Sequence, residues 1–232
     1  MSFSKPTTQQ NPTELFLQWK SELKQFSYYD KEKKENVPIG STIRFVVLDQ
    51  LTTIKGWSDK YQAGIYSNEV RNLESELFVK TFNNDLIAEG NYSKIKERII
   101  ASGAKYSKSV YASLETKEGY KLVNIQFVGS SLGSWIEAKI RTDDMHVVTI
   151  TENKIPQKKG ATTYFIPKIT AQTGLPKDWA NICTKQDEIL QNYLESYLNK
   201  ENKDYVKNET ESKNTNNLPN VEDLDLNTLM PF

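Results

Sequence analysis

Phe78, Lys80 and Phe82 stand two residues apart in the run Leu77-Phe78-Val79-Lys80-Thr81-Phe82. In a strand, residues at that spacing share one face. The run would then present two flat rings with an ammonium between them. That set suits bases stacking on the rings while the cation meets a phosphate. It serves equally well as core, with Phe78 and Phe82 buried and Lys80 snorkelling outward. Trp57 lies in Gly56-Trp57-Ser58-Asp59, between Lys55 and Lys60 and with Tyr61 close by. A loop tryptophan among lysines offers the same pairing of π-face and charge. Lys105-Tyr106-Ser107-Lys108 interleaves cations with a ring at a strand start. Tyr66 stands opposite Ile65, and Tyr111 opposite Val110, Ala112 and Leu114, so both point away from an apolar side and could line the same groove. For every one of these rings the competing reading is packing.

Other chemistries find little support. One histidine, His146, and one cysteine, Cys183, argue against a Ser-His-Asp site, a multi-histidine metal site, a cysteine-rich zinc site and an intramolecular disulfide. Asp143-Asp144-Met145-His146 lacks the ligand spacing of a closed metal site. No other spaced acidic set supports a two-metal nuclease. Gly129-Ser130-Ser131-Leu132-Gly133-Ser134 precedes a helical pattern but lacks the lysine of a P-loop, and reads as a turn. Lys94, Lys96 and Arg98 read as a solvated helix face. Trp19 and Trp135 read as members of apolar faces. The expectation is a non-enzymatic protein that needs no cofactor and no metal.

The C-terminal segment is the most specific. Val221-Glu222-Asp223-Leu224-Asp225-Leu226-Asn227-Thr228-Leu229-Met230-Pro231-Phe232 restores apolar residues after a polar stretch, with acids just ahead of them. Such a peptide can seat Met230 and Phe232 in an apolar pocket while Asp223, Asp225 and the terminal carboxylate meet a basic rim. A tail folding back on its own domain, or a solubilising tail, is the other reading.

These residues need elements to hold them. The chain has 232 residues, 37% hydrophobic, with 30 Lys+Arg against 30 Asp+Glu. The charge is unevenly spread: residues 38–185 hold 20 basic against 15 acidic side chains, and residues 186–232 hold 4 against 10. A mildly basic body with an acidic end fits a polyanion binder. No apolar run approaches a membrane span and the N-terminus lacks a signal-peptide core, so a cytoplasmic, non-membrane protein is expected.

Asn11, Pro12 and Glu14 resemble a helix start, and Leu15, Phe16, Trp19, Leu23 and Phe26 at three- and four-residue spacings predict an N-terminal helix. Asp30 to Asn36 reads as a charged linker. Strands are predicted around Ile43–Val47, with a bulge near Asp49–Leu51, at Ile65–Tyr66 and at Leu77–Phe82. A helix follows over Tyr92–Ser102 with Gly103 as its stop, then strands at Val110–Leu114 and Val123–Phe127 about a Lys117-Glu118-Gly119 turn. Beyond come a short helix over Leu132–Ile140, strands near Val147–Thr151 and Thr162–Ile169, and a helix over Lys185–Asn199. That last helix would be capped by Thr184 and would bury Ile189, Leu190, Tyr193, Leu194 and Tyr197. Lys200–Asn220 reads as a flexible tether.

The order strand, strand, strand, helix, strand, strand is that of an OB-fold, a small five-stranded Greek-key barrel. The acidic ending with Leu229-Met230-Pro231-Phe232 resembles the C-terminal tip of the single-stranded DNA-binding proteins of bacteria and phages. It departs in the interrupting Leu224 and Leu226 and in the Leu-Met before Pro-Phe, and fits a divergent phage-type form better. The resemblance implies an OB-fold that binds single strands without sequence preference, and a tip that recruits replication or repair proteins. It implies a role in DNA replication, recombination and repair, in the host cytoplasm if phage-encoded.

The expected fold class is therefore mainly β with flanking helices: an OB-like barrel extended by extra strands, N- and C-terminal helices and a disordered tail. Three parts are expected: 1–37 as a helical extension and linker, 38–199 as the binding domain, and 200–232 as tether and tip. The expected nucleic-acid contacts are Lys55, Trp57, Lys60, Tyr61, Tyr66, Phe78, Lys80, Phe82, Lys105, Tyr106, Lys108 and Tyr111. The expected partner contacts are Asp223, Asp225, Leu229, Met230, Pro231 and Phe232. Homo-oligomerisation is compatible with all of this. The rival is a protein–protein adaptor or virion-associated β-domain in which the same aromatics are core and only the tail binds.

Overall fold

The computed structural model describes residues 10–140, 146–152 and 155–206. The elements in order are β1 (Leu15–Lys20), β2 (Gln25–Asp30), β3 (Glu35–Pro38), β4 (Thr42–Ser58), β5 (Ala63–Tyr66), β6 (Leu77–Thr81), β7 (Leu86–Gly90) and α1 (Tyr92–Ala101). There follow β8 (Ala104–Thr116), β9 (Gly119–Val128), α2 (Ser130–Glu137), β10 (Val147–Glu152), β11 (Gln157–Lys159), β12 (Thr162–Tyr164), β13 (Pro167–Gln172) and α3 (Lys177–Val206). The chain is thus mainly β with flanking helices. None of the described helices is long and apolar enough to cross a membrane.

Eleven strands share one mixed sheet in the order β3-β2-β1-β9-β8-β4-β5-β6-β7, with β10 and β13 branching from β4. The long β4 explains the branch. Its N-terminal half pairs with β10 from Thr42 to Val46, and its C-terminal end pairs with β5 from Lys55 to Ser58. Its other edge pairs with β8 from Phe45 to Gly56, and the register shifts between Val47 and Asp49, where the bulge was expected. The β11–β12 hairpin pairs only with itself.

No pairing among the described strands closes the sheet into a barrel. The outer edge of β9 is taken instead by β1, in parallel, from Leu15 to Gln18. This corrects the N-terminal reading, because Leu15–Lys20 and Gln25–Asp30 are strands and not a helix. The hydrogen bonds that hold β1 come from residues more than a hundred positions away, which a local pattern cannot reveal. Leu17 and Phe26 are fully buried while Phe16 and Leu23 are about half exposed, so the helical stripe does not describe what is covered. The charged run after Asp30 is a hairpin turn rather than a linker: Asp30 Oδ1 accepts the N–H groups of Glu32 and Lys33, and the chain returns as β3. The N-terminal segment is therefore built into the sheet, and Leu17 and Phe26 belong to its core.

The sheet buries both faces, unequally. On the inner face an aromatic chain runs from Phe26 edge-on to Phe127 (centroids 5.7 Å apart), then stacks onto Trp135 (4.4 Å) and on to Phe45 (6.3 Å). α1 adds Tyr92, Ile95 and Ile99, and α2 adds Leu132. Asn91 caps α1 through its side chain, and Gly103 beyond its end takes φ +85°.

α3 covers part of the outer face. Trp179 and Cys183 pack on Val46 and Val147, and Leu190, Tyr193 and Leu194 pack on Leu51, Tyr111 and Leu122. α3 begins at Lys177, after Pro176, eight residues before the expected start; Thr184 lies inside it, bonding back to the Ala180 carbonyl, and Ile189 is exposed. It continues to Val206, so the tether does not begin at Lys200. Residues 207–232, with the remaining tether and the whole tip, lie outside the described residues, as do Asp143, Asp144 and Met145.

Phe127 sits at the centre of the aromatic chain with no exposed surface. Phe127→Ala should cost about 3–5 kcal/mol of stability, read as a lower urea midpoint with an unchanged slope.

Candidate nucleic-acid interface

The registers of four strands line up one cross-strand row on the outer face. Lys55 on β4 faces Lys105 on β8 on one side and Tyr66 on β5 on the other, and Tyr66 in turn faces Lys80 on β6. Residues opposed in a ladder point to the same side, so Lys105, Lys55, Tyr66 and Lys80 form a continuous strip of three ammonium groups and a ring. The strip continues the face that α3 covers, beyond the point where the Tyr197 hydroxyl accepts the Glu69 N–H.

A second row lies one step further out. Trp57 faces Gly64, and the Phe82 N–H donates to the Gly64 carbonyl at 2.9 Å. The Phe82 ring stacks on Tyr66, with centroids 5.4 Å apart and planes 27° from parallel. Gly64 makes this possible, because a Cβ there would stand 2.5 Å from the Phe82 ring. Phe82 is 70% exposed and Trp57 54% exposed, far more than rings of that size are left without a use. Phe78 and Lys80 are half-buried, whereas Leu77, Val79 and Thr81 on the other side of the strand are buried. The alternation expected for this strand holds, with the rings on the open side.

Beside Trp57 the chain forms an open depression of about 500 Å³, lined by Trp57, Lys60, Tyr61, Leu86, Arg98 and Gly103. The Lys60 ammonium lies 4.9 Å from the centre of the Tyr61 ring. Gly103 fits under Trp57, since a Cβ there would meet the Trp57 carbonyl oxygen at 2.5 Å. Trp57 itself is at the end of β4, not in a loop.

Three expected contacts are elsewhere. Tyr106 is buried against Tyr92, edge-on at 5.6 Å, and belongs to the inner core. Burial, with the neighbouring Tyr106, pushes the Tyr92 phenol up to about 12. Tyr111 does point away from the inner core, but α3 covers it; its hydroxyl donates to Glu69 Oε2 at 2.6 Å, and burial pushes its acidity far down. Lys108 is on the inner side, where its ammonium donates to Thr52 Oγ1 at 3.1 Å. Residues 105 and 108 differ by an odd number, so a strand sends them to opposite faces. The face therefore holds Lys55, Trp57, Tyr66, Phe78, Lys80, Phe82 and Lys105, with Lys60 and Tyr61 at its rim.

Two cationic groups were missed. Arg98 was read as part of a solvated helix face, yet it lines the depression. Lys159, on β11, lies close enough for its charge to act on Lys105. The Lys158-Lys159-Gly160 sequence, two cations before a turn glycine, was the available signal. No protein-family model, curated protein or solved structure matches this chain.

The environment marks two lysines electrostatically. Burial pushes the Lys55 ammonium below the ordinary lysine range, and the Glu69 carboxylate partly offsets this. Burial, then the charge of Lys159, lowers Lys105. Both should lose their protons at lower pH than the exposed lysines. A side-chain NMR titration from pH 8 to 12 should find these two midpoints below the others, and a poly-anion added in excess should move both upward.

Proposed function

We propose that the chain binds single-stranded DNA without sequence preference. The observation that carries this is the Lys105-Lys55-Tyr66-Lys80 row next to the exposed Tyr66–Phe82 stack. Bases would stack on Trp57, Tyr66 and Phe82, and Lys55, Lys80, Lys105 and Lys60 would follow the phosphates. Stacking is sequence-tolerant because every base has a π-face. It also requires unpaired bases, so duplex is disfavoured. Released counterions make affinity fall as salt rises.

The strand pairing supports an OB-related reading of the body. In the series β4, β5, β6, α1, β8 and β9 the helix follows the third strand, apart from the added β7. OB-folds bind oligonucleotides on the face of their second and third strands and on the loop between the first and second. Here those places are β5 and β6, carrying Tyr66, Phe78 and Lys80, and the turn after β4, carrying Lys60 and Tyr61. The parallel β1 at the edge of β9 would be this chain's departure from a closed barrel.

The C-terminal tip completes the proposal. Asp223, Asp225 and Leu229-Met230-Pro231-Phe232 would dock on a replication or repair protein, with Phe232 as the apolar anchor. This gives the chain its proposed place in replication, recombination and repair. The adaptor reading has one observation in its favour: Leu86 and Ile100, exposed around the same depression, would also suit an apolar peptide.

Titration with labelled oligo-dT and with duplex at two salt concentrations separates the readings. Trp57→Ala and Phe82→Ala should each cost about 1–3 kcal/mol of single-strand affinity, while Tyr106→Phe should leave it unchanged. Equal affinity for duplex and single strand would overturn the stacking reading. Phe232→Ala should abolish partner recruitment and leave DNA affinity intact.

A further inference from the structure

The β11–β12 hairpin stands outside the main sheet, and its exposed end carries Lys158 and Lys159 before Gly160, which takes φ +57°. Its base is tied down at one end of the sheet. The Trp19 indole N–H donates to the Phe165 carbonyl at 2.8 Å, and the Phe165 N–H donates to Ser21 Oγ at 2.7 Å. Lys24 lies over the Phe165 ring at 4.1 Å and pairs with Glu152 at 3.5 Å.

These anchors lie just past β1, whose ladder with β9 stops at Gln18 and Gln126. Two residues further, Val128 faces Ser107, and the chain turns at Gly129. There the Lys105 ammonium stands 4.0 Å from where a Gly129 Cβ would be. Hairpin base and Lys105 thus share one corner of the sheet. The charge of Lys159 reaches Lys105 there, although neither lysine gains from a like charge.

Two cations held together on a rigid corner are best satisfied by an anion shared between them. The position of this corner says which anion. It is the outer end of the Lys105-Lys55-Tyr66-Lys80 row, where a strand lying along the row would enter or leave. Resting on the single-strand reading of that row, we propose that Lys105 and Lys159 hold one backbone phosphate between them, and that the β11–β12 hairpin is a basic arm over the end of the bound strand. Lys158 supports the same phosphodiester path from the hairpin's exposed end. The arm adds phosphate contacts and no stacking surface, so it contributes length and salt sensitivity and not base preference.

Oligo-dT binding of the full chain should be measured over a salt series for wild type, Lys105→Ala, Lys159→Ala, the pair Lys105→Ala/Lys159→Ala, and Phe82→Ala as a reference for the stacking row. Each single lysine variant should weaken binding roughly fivefold to tenfold at low salt, the pair little more than either alone, because both grip one phosphate. The slope of log affinity against log salt should fall by about 0.7 for one lost phosphate contact on a single strand. In wild type, oligo-dT should also slow tryptic cleavage after Lys158 and Lys159. Unchanged affinity in Lys159→Ala, or fully additive losses in the pair, overturns the arm while a weakened Phe82→Ala keeps the row. If Phe82→Ala binds like wild type and Lys159→Ala does not, the row fails as the strand's path and the proposal fails with it. Unfolding by the variants is excluded by circular dichroism, and Lys159→Arg, which keeps the charge, should bind like wild type.

Discussion

The β4–β8 ladder is the constraint on which the rest of the molecule depends. From Phe45 to Gly56 it is central in the sheet, and each strand must find cover for two faces. The inner face is filled by the aromatic chain through Phe127 and Trp135 and by both short helices. The outer face has one described cover, α3, which meets it from Val46 to Tyr111. At the far end of the same ladder the face changes from buried hydrophobic side chains to Lys55, Lys105 and the rings of Tyr66 and Phe82. Cover and candidate site are therefore two parts of a single surface, divided by where the helix contacts stop.

The division is marked by a polar network. Asp49 binds Arg71 through both oxygens at 3.0 Å and accepts from Gln191 of α3 at 3.1 Å. Glu69 accepts from the hydroxyls of Ser109 and Tyr111, and its N–H donates to the Tyr197 hydroxyl. Buried carboxylates are costly unless fully satisfied, and here each is matched by donors from the sheet and from α3 together. The network fixes the helix in register on the sheet. It also sets a carboxylate next to Lys55, which helps keep that half-buried ammonium charged.

Where the sequence was legible, the information was local. The alternation through Leu77–Phe82 needs only the strand period, and it placed the rings correctly on the open side. Asn91 and Gly103 bound α1 by caps that lie within a few residues of each other. Where the reading failed, the deciding partner was distant. The stripe Leu15, Phe16, Trp19 has a helical spacing, but Leu15, Leu17 and Trp19 also alternate; the parallel edge of β9 decides between them. Tyr106 and Tyr111 sit on a strand buried on both sides, so facing away from one core did not mean facing solvent. The cross-strand row was not legible at all, because Lys55, Tyr66, Lys80 and Lys105 become neighbours only through three registers. The early start of α3 was hidden for a different reason: Thr184 offers a plausible cap, while the true start rests on Pro176 and the fit of Trp179 against Tyr120, 4.8 Å away.

Partial burial makes the row more than a patch of positive charge. An ammonium in water gains only about 1 kcal/mol from an anion 4 Å away, and about 4 kcal/mol where the effective dielectric is near 20. Lys55 and Lys105 have already lost water in folding, so a phosphate arriving at them meets cations whose desolvation is complete. The folded chain bears the cost. With the folded-state proton affinity lowered, each charged lysine subtracts from stability at neutral pH, and the loss is relieved as pH rises through the lowered value. A fold selected for stability alone would place neutral residues at positions 55 and 105. Retaining lysines there, aligned across the sheet with an exposed ring pair, is the pattern of a surface prepared for a polyanion before one arrives.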